Sequence, residues 1–211
     1  TNSDAPITIN TTGDKEQYLT NVSWSADEKY ILIAIVNRGQ NHMWLNKYDA
    51  NTGDFIKTLF EETNDKYVEP EHSAIFLKND ANKFIWWSER DGYNHLYLYD
   101  IEGNLIKQLT KGEWIVTDYH GMNADETMLY ITATKDSPLE RHLYCVNIKN
   151  GKIKNLTQTA GYHNITPNKD CSIFIDDYSN TTTPREIRLI DGTGNLMDIL
   201  HAATDPLKDY K

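Results

Sequence analysis

A single cassette recurs four times along this 211-residue chain, and the recurrence limits the possible folds more than any other feature. The stretch HLYLYDIEGNLIKQLT (95 to 110) returns almost position for position as HLYCVNIKNGKIKNLT (142 to 157), 47 residues on. HMWLNKYDANTGDFIKTL (42 to 59) carries the same plan 53 residues upstream, with a slightly longer turn. A weaker copy, EIRLIDGTGNLMDIL, begins at Glu186, 44 residues after His142. Within each copy the apolar residues alternate with period two, the spacing that gives a strand two different faces. Asp91-Gly92 and Glu102-Gly103-Asn104 supply the turn chemistry that reverses the chain.

Each copy follows another strand pair with its own polar turn. These turns are Ser25-Ala26-Asp27-Glu28, Asn79-Asp80-Ala81-Asn82, Asn123-Ala124-Asp125-Glu126 and Asn168-Lys169-Asp170. Asp27, Asp80, Asp125 and Asp170 are 53, 45 and 45 residues apart. Four strands in every ~40–50 residues is the period of a β-propeller blade. The predicted fold is therefore all-β, a partial β-propeller of about four four-stranded antiparallel blades. Their expected bounds are 19–60, 72–111, 115–158 and 164–200, and 201–211 forms a tail, the one stretch that could make a short helix. PITIN (6 to 10) reads as the last strand of an earlier blade. A run of ordinary β-sandwich hairpins is the alternative, but it does not account for the same cassette four times.

Composition narrows the function. With 31 acidic against 21 basic residues, the net charge of −10 argues against nucleic acid or an anionic membrane surface as partner. No run of 18 apolar residues occurs, and the opening TNSDAPITIN has neither a positive start nor an apolar stretch, so no signal peptide is expected within the segment. Cys145 and Cys171, each expected inside a strand, read as buried thiols; no spacing suggests a metal site. Three of the seven histidines, His42, His95 and His142, open the repeated third strand and so occupy a structural slot. The Trp residues fall mostly in strands, where packing between blades is the default role. No Gly-x-Ser-x-Gly elbow, phosphate loop or His-Glu-x-x-His is present, so no catalytic residue and no cofactor are expected in this segment.

FIWWSERDGYNHLYLYD, YVEPEH and LTKGEWIVTDYHGMNADETMLYITATKDSPLERHLYCVNI together closely resemble the propeller domain of the dipeptidyl peptidase IV family of serine exopeptidases, in its bacterial branch. The resemblance covers nearly the whole chain and implies the second half of an eight-bladed propeller, which in that family precedes an α/β-hydrolase domain with a Ser-Asp-His triad. It also implies a parent enzyme that removes Xaa-Pro dipeptides from peptide amino termini, located in the periplasm or cell envelope or secreted. The paired glutamates that grip the substrate's amino terminus belong in that family to an earlier blade, and FEET (60 to 63) is not that motif. A free-standing propeller-like module that binds peptide or protein is the second reading.

In a propeller the connectors between blades share one face with the turns between second and third strands. The connector EETNDKYVEPEH (61 to 72) is at the length where an irregular loop is usually functional. By the resemblance it borders the subsite for residues near the substrate's amino end, which makes Tyr67, Val68, Glu69, Glu71 and His72 candidates for substrate contact. The alternative is that they only order the connector. Glu89, Arg90 and Asp91 of SERDGYN and Trp114 of KGEW are candidates for docking the hydrolase domain. Four blades do not complete an eight-bladed ring, so apolar faces near Val22, Ile31 and Ile33 in the first blade and Ile173, Ile175 and Ile187 in the last are expected to be bare. Self-association of the segment, most simply as a pair of half-rings, or else closure on itself as a strained four-bladed ring, follows from that expectation.

Overall fold

The computed structural model describes residues 6–204 and contains sixteen strands and no α-helix among them. They form four four-stranded antiparallel sheets, each a meander in chain order. The first sheet holds β1 (Tyr18–Trp24), β2 (Tyr30–Val36), β3 (His42–Asp49) and β4 (Phe55–Thr63). The second holds β5 (Ile75–Phe76), β6 (Lys83–Ser88), β7 (His95–Asp100) and β8 (Leu105–Gln108). The third holds β9 (Val116–Met122), β10 (Met128–Ala133), β11 (His142–Asn147) and β12 (Ile153–Asn155). The fourth holds β13 (Tyr162–Pro167), β14 (Ile173–Ser179), β15 (Glu186–Asp191) and β16 (Leu196–Ala202). These are the four blades of the predicted partial propeller. They group into two compact units, Thr1–Gln108 and Leu109–Lys211, each carrying two blades.

The middle strands of the first three blades are buried on both faces, and most of them read as near-continuous apolar runs for that reason. β14 and β15 of the fourth blade are only partly buried. In the first unit Leu32, Leu45, Phe84, Trp86 and Tyr99 share one core, and Phe60 stacks on Tyr99 with ring centroids 4.4 Å apart. In the second unit Tyr130, Leu143, Phe174 and Ile190 share another. Burying each such side chain contributes roughly 1.5–3 kcal/mol.

In three of the four blades the turn between first and second strands has one chemistry, while in the second blade Asp80 accepts from the Asn82 amide and pairs with Lys83 instead. Asp27 accepts from the Ser25 hydroxyl at 2.8 Å, and Asp125 and Asp170 accept from Thr127 and Ser172 hydroxyls at 2.9 and 2.7 Å. The residue after each of these three Asp then takes a left-handed conformation: Glu28 (φ 58°), Glu126 (φ 54°) and Cys171 (φ 54°). Cys171 therefore lies in a turn, not in the expected strand, because the aspartate fixes the reversal one residue before it. Cys145 lies in β11, and both cysteines are buried and outside any disulfide.

A second recurring device joins three of the blades, the first, second and fourth, to what precedes them. In the third a Cβ on Gly151 would stand 4.0 Å from the Leu109 carbonyl oxygen, an ordinary contact. Gly53, Gly103 and Gly194 occupy the same place in the turn between third and fourth strands, with φ of 78°, 89° and 90°. A Cβ on Gly103 would stand 2.3 Å from the Leu59 carbonyl oxygen, and one on Gly194 would stand 2.8 Å from that of Leu156. No side chain fits there. At Gly53 the same position is taken by the Thr8 carbonyl oxygen, 2.1 Å from a hypothetical Cβ.

That contact corrects the reading of residues 6–10. They form no strand, yet the Asn10 amide donates to the Gly53 carbonyl at 2.8 Å, so the segment lies where a preceding outer strand would lie. Ile9 accordingly packs on the cluster of Ile31, Ile33, Ile35 and Tyr48. Ile31 and Ile33 are thus covered, contrary to expectation, whereas Val22 is 54% exposed. In the last blade Ile175 is exposed, while Ile173 and Ile187 are half-buried. His201 and Ala202 extend β16 and are not helical; the tail from 205 onward lies outside the described residues.

Candidate functional site

A cavity of about 230 Å³ opens where β4 ends, between the connector to β5 and the β6–β7 turn. Its wall is held by bonds from three directions. The β2–β3 turn binds the connector through the Asn64 amide on the Asn41 carbonyl (3.1 Å) and the Val68 amide on the Gln40 carbonyl (2.6 Å). β1 binds it from the other side. The register of β1 on β2 shifts between Thr20 and Ser23, and Asn21 adopts φ 52° within that bulge. The bulge aims the Asn21 amide nitrogen at the Pro70 carbonyl oxygen, 2.5 Å away. The third hold is apolar: Val68 packs on the core of the first unit.

Arg90, in the β6–β7 turn, is the principal cation of the wall. Its Nη2 donates to Glu62 Oε1 at 2.5 Å, its Nε donates to Ser88 Oγ at 2.9 Å, and its Nη1 donates to the Tyr99 hydroxyl. Its guanidinium lies 4.6 Å from the centre of the Tyr97 ring. Ser88 Oγ donates to the other Glu62 oxygen at 2.9 Å, so both oxygens of that carboxylate are bound. Burial, chiefly, pushes the Tyr97 and Tyr99 phenols up, so they stay neutral and leave the arginine's charge to Glu62.

The rest of the wall is acidic and aromatic. Glu69, Glu71 and Glu89 line the cavity, and burial, then Glu71, then Glu69 push the Glu89 carboxyl up. His72 packs on Trp87 with ring centroids 4.0 Å apart, and Tyr67 is 53% exposed at the rim. His42 Nε2 lies 2.7 Å from Glu61 Oε2. Such an arrangement can hold an extended peptide: acceptors for a positive charge and ring faces for an apolar or cationic side chain.

All five residues proposed for substrate contact, Tyr67, Val68, Glu69, Glu71 and His72, line this one cavity. Of the docking candidates, Glu89 and Arg90 line it as well. Asp91 is not among its lining residues; it accepts from the Gln108 side-chain amide at 2.6 Å. Trp114 belongs to the second unit, where it is buried at 8% exposure and would meet any Cβ placed on Gly112. The sequence reading missed Glu62, Ser88 and Trp87. Ser88 and Trp87 close a strand that alternation marks as buried, and Glu62 ends the strand that leads into the connector, so their position at strand ends was the available signal.

The family model described as "Dipeptidyl peptidase IV (DPP IV) N-terminal region" matches residues 1–185. The chain is 35% identical to a protein of Bacteroides ovatus ATCC 8483 provisionally named dipeptidyl aminopeptidase IV. The crystal structure of that protein superposes with a TM-score of 0.86 over 95% of this chain and 31% of that one. Dipeptidyl peptidase 4 of Porphyromonas gingivalis, 22% identical, shares the fold with a TM-score of 0.82 over 96% of this chain and 28% of that one. Mouse dipeptidyl peptidase 8 is 26% identical over 92% of this chain and 29% of its own length. The chain therefore spans less than a third of the length of each of these relatives.

Proposed function

Because this chain belongs to the family of dipeptidyl peptidase IV N-terminal regions, we propose that it is the non-catalytic propeller part of a serine exopeptidase that removes Xaa-Pro dipeptides from peptide amino termini. Its share of the work is to shape the approach of the substrate and to seat the α/β-hydrolase domain. The observation that carries this reading is the cavity beside the connector, where all five candidate contact residues meet. Connector, turn and strand ends supply acceptors and ring faces. On this reading the activated nucleophile belongs to the hydrolase domain, and the contribution of this part is orientation, which lowers the entropy cost of bringing a scissile bond to the catalytic group.

The test compares hydrolysis of a Gly-Pro reporter by the polypeptide encoded together with its flanking gene sequence and by the 211-residue chain alone. The first is expected to turn over and the second to be inert. Inactivity of both, or activity of the short chain blocked by a serine-directed inhibitor, overturns the reading.

A further inference from the structure

We infer that the cavity beside the connector selects peptides with a cationic side chain, lysine or arginine, near their amino end. The inference rests on the reading of that face as substrate-contacting and adds a charge preference to it.

The first observation is an imbalance of charge. Five glutamates line the cavity against one arginine. Arg90 is committed to Glu62, and His42 lies against Glu61. The carboxylates of Glu69, Glu71 and Glu89 form no hydrogen bond or ion pair among the described residues, and their mutual repulsion contributes to raising the Glu89 carboxyl. Three uncompensated carboxylates around one opening favour an incoming positive charge and disfavour a negative one. Among the described residues no three His, Cys, Asp or Glu side chains are grouped closely enough to hold a metal ion.

The second observation is independent of charge. Trp86 and Trp87, 1% and 5% exposed, both line the cavity, and neither indole N–H has an acceptor among the described residues. A buried donor without a partner is uncommon, because it forfeits the hydrogen bond it had with water. A peptide carbonyl entering the cavity would supply the missing acceptor. The ring faces of Tyr67 and of the His72–Trp87 pair add the surface on which a cation settles well. Main-chain acceptor and side-chain cation are thus recognised by different groups of one wall.

The experiment titrates the 211-residue chain with the tetrapeptides Arg-Pro-Gly-Phe and citrulline-Pro-Gly-Phe, which differ only in charge at the first side chain, and follows tryptophan fluorescence and heat of binding. The arginine peptide is expected to bind about tenfold more tightly, since close charge pairs in a partly desolvated site dominate discrimination. Glu71→Gln combined with Glu89→Gln, both at exposed positions and so compatible with folding, is expected to remove the difference without moving the thermal midpoint. Tyr67→Ala is expected to weaken both peptides. Equal affinity for the two, untouched by the glutamate changes, overturns the charge preference and leaves the peptide-contacting face standing. Absence of binding by either peptide overturns both.

Discussion

Arg90 and Glu62 close an ion pair at 2.5 Å that ties the β6–β7 turn of the second blade to the end of β4 in the first. Glu62 retains only 11% side-chain exposure there and Arg90 retains 31%. The pair therefore acts in a partly desolvated setting, where losing one partner strands the other. Arg90→Ala is expected to cost about 2–3 kcal/mol, and Arg90→Lys to recover less than half, because an ammonium cannot reach Glu62, Ser88 and Tyr99 together. Urea denaturation of the three proteins checks this, and an unchanged midpoint for the alanine variant would sink it.

Gly92 supplies the positive φ (96°) that lets the β6–β7 turn reverse. A Cβ there would meet nothing within 4 Å, so any penalty comes from the backbone alone. Gly92→Ala is expected to cost about 1 kcal/mol and Gly92→Val somewhat more. Equal stability of all three proteins in guanidinium would count against the turn assignment.

Acid should loosen the turns before the cores. Bonds from Lys29 and Ser25 hold the Asp27 carboxyl down at about 2, against an ordinary 3.8. The Ser172 hydroxyl and amide lower Asp170, and Thr193 and Asn195 lower Asp191. A carboxyl depressed on folding adds stability that is fully present above its unfolded value and is lost as pH falls through its folded value. Thermal stability is expected to decline from about pH 4 downward, and NMR titration should place the Asp27 midpoint near 2. A flat melting profile between pH 5 and 2 would contradict the assignment.

The two thiols should be silent while the chain is folded. Burial pushes the Cys145 thiol up, and Cys171 is 2% exposed. Ellman's reagent at pH 8 is expected to label neither in the native chain and both in guanidinium. Rapid native labelling of either would show that the second core opens.

β16 is an outer strand of its sheet on which every residue is exposed, including Leu196, Met197, Ile199 and Leu200 at 47–55%. An apolar edge with free backbone groups invites pairing. Light scattering coupled to size exclusion is expected to find a mass above that of one chain, reduced toward one chain by Leu196→Lys with Ile199→Lys. A concentration-independent monomer would refute this.

The blades and their turns were legible because the repeat, the Asp turns and the period-two alternation all report on local backbone chemistry. Aligning the repeats one residue further would also have set Cys171 beside Glu28 and Glu126, and so in the turn. The covering of Ile31 and Ile33 was not legible, since residues 6–10 carry no pairing pattern and act through tertiary contact. Within the site, the connector residues announced themselves by loop length. Glu62 and Trp87 did not, because their roles depend on which strand ends the bulge at Asn21 and the turn at Gly92 bring together.

The glycine that rests on the carbonyl of whatever precedes it gives the chain a grammar of succession. A blade shuffled, duplicated or transplanted from a relative keeps its own strands, but its turn must arrive without a side chain and must find an oxygen already in place ahead of it. A rearrangement that puts alanine at Gly103 or Gly194 pushes the neighbouring blade away at a single atom, so at these two junctions the freedom to recombine is set by one absent methyl group. Gly151, with 4.0 Å to the Leu109 carbonyl oxygen, leaves its junction open to a side chain of that size.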